Sequence, residues 1–349
     1  MTSLERILLA ASLGKPDCIP VAPYLGNHGA HVAGVTIDQY CRCGEVMAQA
    51  QYRAWEIYGQ DAVVAQSDNY YIAEGFGSQV EHHHDSTPTL KTPAVGELAD
   101  IDRLSVPNPL TDGRMPVYLD AIGRLARRLG GRVAVRAPGT GPFSLASHLM
   151  GTQRFLMEVA LADADGGDAE KRLRKLMTLT TEALVAFAKA SLQAGANIVQ
   201  AGDSLASIDM ISPDMYRRWA WPYERQFFSE LTPLAAKCGA ATLLHICGNM
   251  TPVLDEMADT GANILELDSK VDLRVAKERV GHRVCLMGNL NPVTVLWRGS
   301  VADVERAAGD AIAAAGAGGF ILGSGCEVPI ATPRENVLAM VRAARMTSS

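Results

Sequence analysis

His245 and Cys247 stand two residues apart in LLHICGNM (243–250), at the end of an apolar run, and Cys326 stands in GSGCEVP (323–329) near the C-terminus. On a strand, residues two apart point to the same face, so the imidazole and the first thiol share a side. Two thiolates and an imidazole are a natural zinc set, and three protein ligands are the number found in catalytic rather than structural zinc sites. Buried cysteine is also a common small hydrophobe. Spacing alone therefore leaves two readings open: a packed core strand with incidental polar residues, or part of a metal site. The glycines flanking Cys326 allow close backbone approach and favour the second.

Such a set needs a scaffold that brings distant segments together. The chain alternates short apolar runs with helical stretches. The runs are IPVAPYLG, DAVVAQSD, VAVRAPG, ANIVQAGD, ATLLHICG, ANILELD, RVCLMGN and FILGSGC. They are rich in Val, Ile and Leu, the pattern of strands buried on both faces in a parallel sheet. Helical segments, among them 38–58, 115–129, 171–193 and 213–238, fall between them. Eight such repeats predict an α/β fold, a (β/α)8 TIM barrel. The stretch GSQVEHHHDSTPTLKTP (77–93) fits neither period and reads as an inserted hairpin or lid, and an amphipathic helix opens the chain. We read residues 1–349 as a single domain with an N-terminal helical extension.

Barrels of this kind carry their active sites at the C-terminal strand ends. The polar residues there are Asp68, Arg136, Gln200, Asp203, Ser204, His245, Cys247, Asp268, Lys270, Asn289, Asn291, Cys326 and Glu327. Small residues from Gly139 to Ser147 suggest a wide opening. Cys41 and Cys43 read as structural, and the triplet His82–His84 as surface residues of the lid.

Four segments together, LLHICGNM, LELDSKVDL (265–273), CLMGNLNP (285–292) and GSGCEVPIATPRENVLAMVRAAR (323–345), resemble the uroporphyrinogen decarboxylase superfamily. The likeness is to its corrinoid-dependent methyltransferase branch, which includes methylcobalamin:coenzyme M methyltransferases. It covers nearly the whole chain and is strongest from Asn197 onward. It implies a zinc ion on His245, Cys247 and Cys326, with Asp268 as an exchangeable fourth ligand. It further implies a methylated corrinoid, free or on a corrinoid protein, as donor, and a thiol such as coenzyme M, or tetrahydrofolate, as acceptor.

Asp68, in QSDNYY, matches an aspartate of the decarboxylase branch, and the resemblance implies that the loop holding Asp203 lies near substrate. Arg136 is a candidate for gripping an anionic acceptor or, equally, for an ion pair with Asp68 or Asp203. Asn289 is a further candidate for substrate binding. The decarboxylase branch, acting on a tetrapyrrole, is the alternative. Its early arginine-rich grip has no counterpart in IPVAPYLGNHGAH (19–31), where His28 and His31 stand instead.

A net charge of −6 and the lack of a basic run argue against a nucleic-acid surface. No apolar stretch is long enough for a membrane helix. Seven cysteines, an odd number, do not suggest a disulfide framework, so a soluble cytoplasmic protein is expected.

Overall fold

The computed structural model describes residues 1–346. Its main sheet contains β1 (Ala62–Val64), β4 (Ala134–Arg136), β5 (Ile198–Gly202), β6 (Ala241–Ile246), β7 (Ile264–Leu267), β8 (Cys285–Leu290) and β9 (Phe320–Ser324). These pair in chain order and every pairing is parallel. A separate antiparallel hairpin, β2 (Gln79–Glu81) with β3 (Thr89–Thr92), lies in the connection after β1. That connection starts from the C-terminal end of a barrel strand, so the expected insertion sits on the side of the barrel mouth.

The first predicted strand, IPVAPYLG, is reduced to a single parallel bridge, Val21 to Leu322. Pro20 and Pro23 lack the N–H that a longer ladder needs. The bridge still closes the barrel. Ala22 N donates to Leu322 O and Leu322 N to Pro20 O, both at 2.8 Å, while Asp61 N donates to Val21 O at 2.8 Å from the other side.

The barrel interior follows the two-residue period. Its lower layers are apolar: Ala22, Ala62, Ala134, Ile198, Ala241, Leu243, Ile264, Cys285, Met287 and Ile321 form one buried cluster. Ile7 and Ala10 of α1 (Ser3–Ala11) join that cluster, so the N-terminal helix stoppers the lower end. Alternate residues, such as Leu244, Ile246, Leu265 and Leu286, face outward into the larger core beneath the helices.

The predicted helix 38–58 is broken. After α2 (Gly26–Ala33), α3 (Ile37–Arg42) stops at an extended Cys43 and a new helix runs from Gly44 to Tyr58. A side chain at Gly44 would lie 2.6 Å from Val117 O, so the second helix starts in close contact with the helix Met115–Leu129. Among the described residues, no helix is long and apolar enough to cross a membrane.

Candidate active site and metal centre

The inward ladder of β6 runs Ala241, Leu243, His245 and continues past the strand end to Cys247. Gly248, at φ +88°, turns the chain there, and a side chain at that position would strike Ser207 Oγ at 2.4 Å. Cys326 arrives from β9 through Gly325, whose N–H bonds Leu290 O at 2.8 Å. A side chain at Gly325 would stand 2.6 Å from Ser269 N, so glycine there permits the close approach.

The three predicted ligands meet. His245 Nε2 lies 3.3 Å from Cys247 Sγ, and Cys247 Sγ lies 3.7 Å from Cys326 Sγ. Zinc bonds of about 2.0–2.1 Å to nitrogen and 2.3 Å to sulfur, at tetrahedral angles, require edges of about 3.6 and 3.8 Å. The donor set therefore fits a tetrahedral ion with only small adjustment. His245 Nδ1 faces Glu266 O at 3.1 Å and Glu266 Oε2 at 3.4 Å. A carbonyl only accepts, so Nδ1 carries the proton and Nε2 keeps the lone pair that a metal needs.

The three side chains shift one another's titration. Burial alone would lower the His245 pKa, but the bond to Cys247 and the charges of Cys247 and Glu266 raise it to about 9. The Cys247 thiol is pushed down, chiefly by its bond to Cys326, and Cys326 is correspondingly pushed up. Ser204 Oγ lies 3.2 Å from Cys247 Sγ.

Above this set lies a small cavity of about 100 Å³, lined by Tyr24, Gln66, Arg136, Gln200, His245 and Glu327 among others. Gly139 does line the cavity, but Pro142–Met150 is a helix with all but one residue buried, so small size there serves packing.

Arg136 is not paired with Asp68 or Asp203. Its Nη1 and Nη2 donate to the two Glu266 oxygens at 2.7 and 2.6 Å, and its Nε donates to Gln200 Oε1 at 2.5 Å. Its guanidinium carbon sits 4.5 Å over the Tyr24 ring. Burial would raise the Glu266 carboxyl, but Arg136 outweighs it and holds the carboxyl below its usual range. Glu266 was missed by sequence reasoning. The signal was present: a carboxylate at an inward position of the apolar run ILEL.

The other predicted residues frame the site. Asp68 takes a two-pronged pair from Arg114, at 2.7 and 2.8 Å, and a bond from the Tyr118 hydroxyl at 3.0 Å. Asp203 accepts from Phe143 N and Ser144 N at 3.1 and 2.6 Å, tying a helix start to the end of β5. Burial pushes its carboxyl up, against those bonds.

Asp268 stands outside the ligand cluster. Its Oδ2 accepts from Gly248 N at 2.9 Å and so steadies the turn that presents Cys247. Asn289 donates to Asp268 O and Val271 O at 3.0 and 2.7 Å and lines a separate surface groove. Glu327, beside Cys326, accepts from Asn27 N at 2.8 Å; burial is the main reason its carboxyl rises to about 7.

The chain matches the sequence profile of the uroporphyrinogen decarboxylase family over residues 2–347. It is 32% identical to a methylcobamide:CoM methyltransferase, MtbA, of Methanosarcina mazei over 302 residues, 86% of this chain and 84% of that protein. It is 28% identical to the methylcobamide:CoM methyltransferase MtaA of Methanosarcina barkeri over 348 residues, 98% of this chain and 97% of that one. A solved structure described as a methyltransferase from Methanosarcina mazei superposes over the full length of both chains, with a TM-score of 0.89 at 27% identity. With inward polar positions gathered at the mouth of a closed parallel barrel and a match across almost its whole length, the chain belongs to the uroporphyrinogen decarboxylase family.

Proposed function

We propose that this protein is a corrinoid-dependent methyltransferase that moves a methyl group from a methylated corrinoid to a small thiol. The observation that carries the reading is the spacing of His245 Nε2, Cys247 Sγ and Cys326 Sγ, which suits a zinc ion at the wall of a polar cavity. Similarity to methylcobamide:CoM methyltransferases supports the same reaction class. Zinc held there would keep an acceptor thiol, ordinarily protonated with a pKa of about 8.5, in its nucleophilic thiolate form.

The protein's own residues orient and exclude. Glu266 fixes the His245 ring through Nδ1. Asp268 fixes the turn after Cys247. A cavity of about 100 Å³ takes the thiol end of the acceptor and excludes a flat corrin ring, so the donor reaches the sulfur from the barrel mouth. In the transfer the methyl carbon gains a bond to the acceptor sulfur, and the electron pair of the bond it leaves stays with the donor. Holding the partners in line is worth about 7–11 kcal/mol at best.

Arg136 is already committed to Glu266 and Gln200, so in this reading it sets the cavity wall and does not grip an anion on its own. All seven cysteines are free, which suits a cytoplasmic enzyme.

The test is metal analysis with demethylation of methylcobalamin in the presence of coenzyme M, homocysteine or tetrahydrofolate. His245→Ala and Cys326→Ala should lose the ion bound at this centre and at least about 100-fold in rate. Full activity in metal-free protein would remove the zinc mechanism. Turnover of uroporphyrinogen instead of methylcobalamin would promote the decarboxylase alternative.

A further inference from the structure

Cys41 and the histidine run 82–84 lie far apart in sequence, and neither lines the central cavity. The structure brings them together. α3 places Asp38 and Cys41 three residues apart, on one helical face. His82, the residue after β2, sets its Nδ1 3.7 Å from Cys41 Sγ and 3.7 Å from Asp38 Oδ1. One donor atom from each of the three lies within 4.8 Å of the others. Asp38 N donates to His84 O at 3.2 Å, so hairpin and helix are already fastened by their backbones.

The geometry and chemistry are those of a metal cradle. Sulfur, nitrogen and oxygen ligands around a tetrahedral zinc need an S···N edge of about 3.6 Å and an N···O edge of about 3.3–3.4 Å. The observed distances exceed these by a few tenths of an ångström, within reach of side-chain rotation. Cys41 is fully enclosed, while Asp38 and His82 are half-buried and leave a way in from solvent.

The charges also balance. Arg42 and Arg114 stand against Asp38, Asp68 and Glu74, a surplus of one negative charge. A Cys41 thiolate would make the surplus two, which a divalent cation cancels. Arg42, the exposed partner of Asp38 at 3.4 Å, has room to withdraw.

We infer that Asp38, Cys41 and His82 form a second site, for a divalent cation of the zinc class, that clamps the inserted hairpin to α3. On binding, the Cys41 S–H bond breaks, its proton goes to solvent and a sulfur–metal bond forms; no electrons are exchanged. The clamp is one side chain away from the cavity wall. Arg114 Nη1 lies 3.4 Å from Cys41 O and carries Asp68, whose neighbours Ser67 and Asn69 line the cavity. The inference does not depend on the proposed methyl transfer.

The test is a Co2+ titration of the metal-free full-length protein, following thiolate-to-cobalt absorption and counting bound metal. Wild type should take two equivalents, His245→Ala one, Cys41→Ser one, and the double variant none. The second equivalent should also protect the hairpin from proteolysis in the His245→Ala background. His82→Asn, at a half-exposed position, gives the same reading if Cys41→Ser does not fold. One equivalent in wild type that His245→Ala removes, or two in both Cys41→Ser and His82→Asn, would overturn the inference. Loss of metal from the His245 centre alone would count against the proposed function and leave this site standing.

Discussion

A guanidinium enclosed by protein needs its charge answered nearby, and Arg136 of β4 finds the answer across the barrel in Glu266 of β7. Removing one partner of such a buried pair costs about 3–5 kcal/mol, whereas replacing both with apolar groups of similar size is often neutral. Glu266→Gln should therefore lower unfolding stability by about 3–5 kcal/mol, and Arg136→Met with Glu266→Met should recover most of it.

The sign with pH follows from the depressed Glu266 carboxyl. Its contribution is fully present above the unfolded carboxylate value of about 4.3 and is lost as pH falls through the lower folded value. The carboxylate's own share of the Glu266→Gln deficit in urea titrations should thus persist down to about pH 6, while the part that acts by raising His245 fades as pH rises toward about 9. A deficit that vanished toward pH 6 would contradict the pairing. The same carboxylate orients His245, so the variant should also bind metal more weakly, by about 10–100-fold.

At the level of elements, the site depends on loops drawn close to strand ends. The segment after β4 is laced to β5: Gly202 N donates to Gly139 O at 2.6 Å and Gly141 N to Gly202 O at 2.9 Å. A side chain at Gly139 would sit 1.8 Å from Gln200 O, a backbone atom that cannot swing aside. Gly139→Ala must therefore push the loop off β5 and move Gln200, the acceptor for Arg136 Nε. Overpacking of this kind costs about 1–3 kcal/mol. A fall in thermal midpoint should accompany a fall in kcat; an unchanged midpoint with normal activity would show that the loop yields freely.

Across the whole molecule, closure is concentrated at one carboxylate. Asp61, fully buried, accepts from Val21 N at 2.8 Å and pairs with Arg345 of the last helix at 2.8 and 2.9 Å. Arg6 of the N-terminal helix lies 3.7 Å away. A barrel whose first strand is a single bridge relies on that anchor. Asp61→Ala should lose roughly 3 kcal/mol by leaving an enclosed N–H and a guanidinium without this partner. A change under about 0.5 kcal/mol would place closure elsewhere.

The sequence by itself determined the barrel, its inward positions and the proposed meeting of His245, Cys247 and Cys326. Apolar runs bounded by Gly, Asp and Asn report buried parallel strands, and the two-residue period places His245 with Cys247 without any knowledge of the tertiary fold. What it could not determine was partnership across the barrel, because spacing along a chain carries no information about contacts between strands. Arg136 could have met Asp68 or Asp203 and met Glu266; Asp68 went to Arg114, in a helix start 46 residues away. Cys41 and His82 read as unrelated, and only the break at Cys43 and the fold-back of the hairpin set them side by side. The first strand looked complete in hydropathy, yet its two prolines and its single partner bridge decided that it closes the barrel at one point.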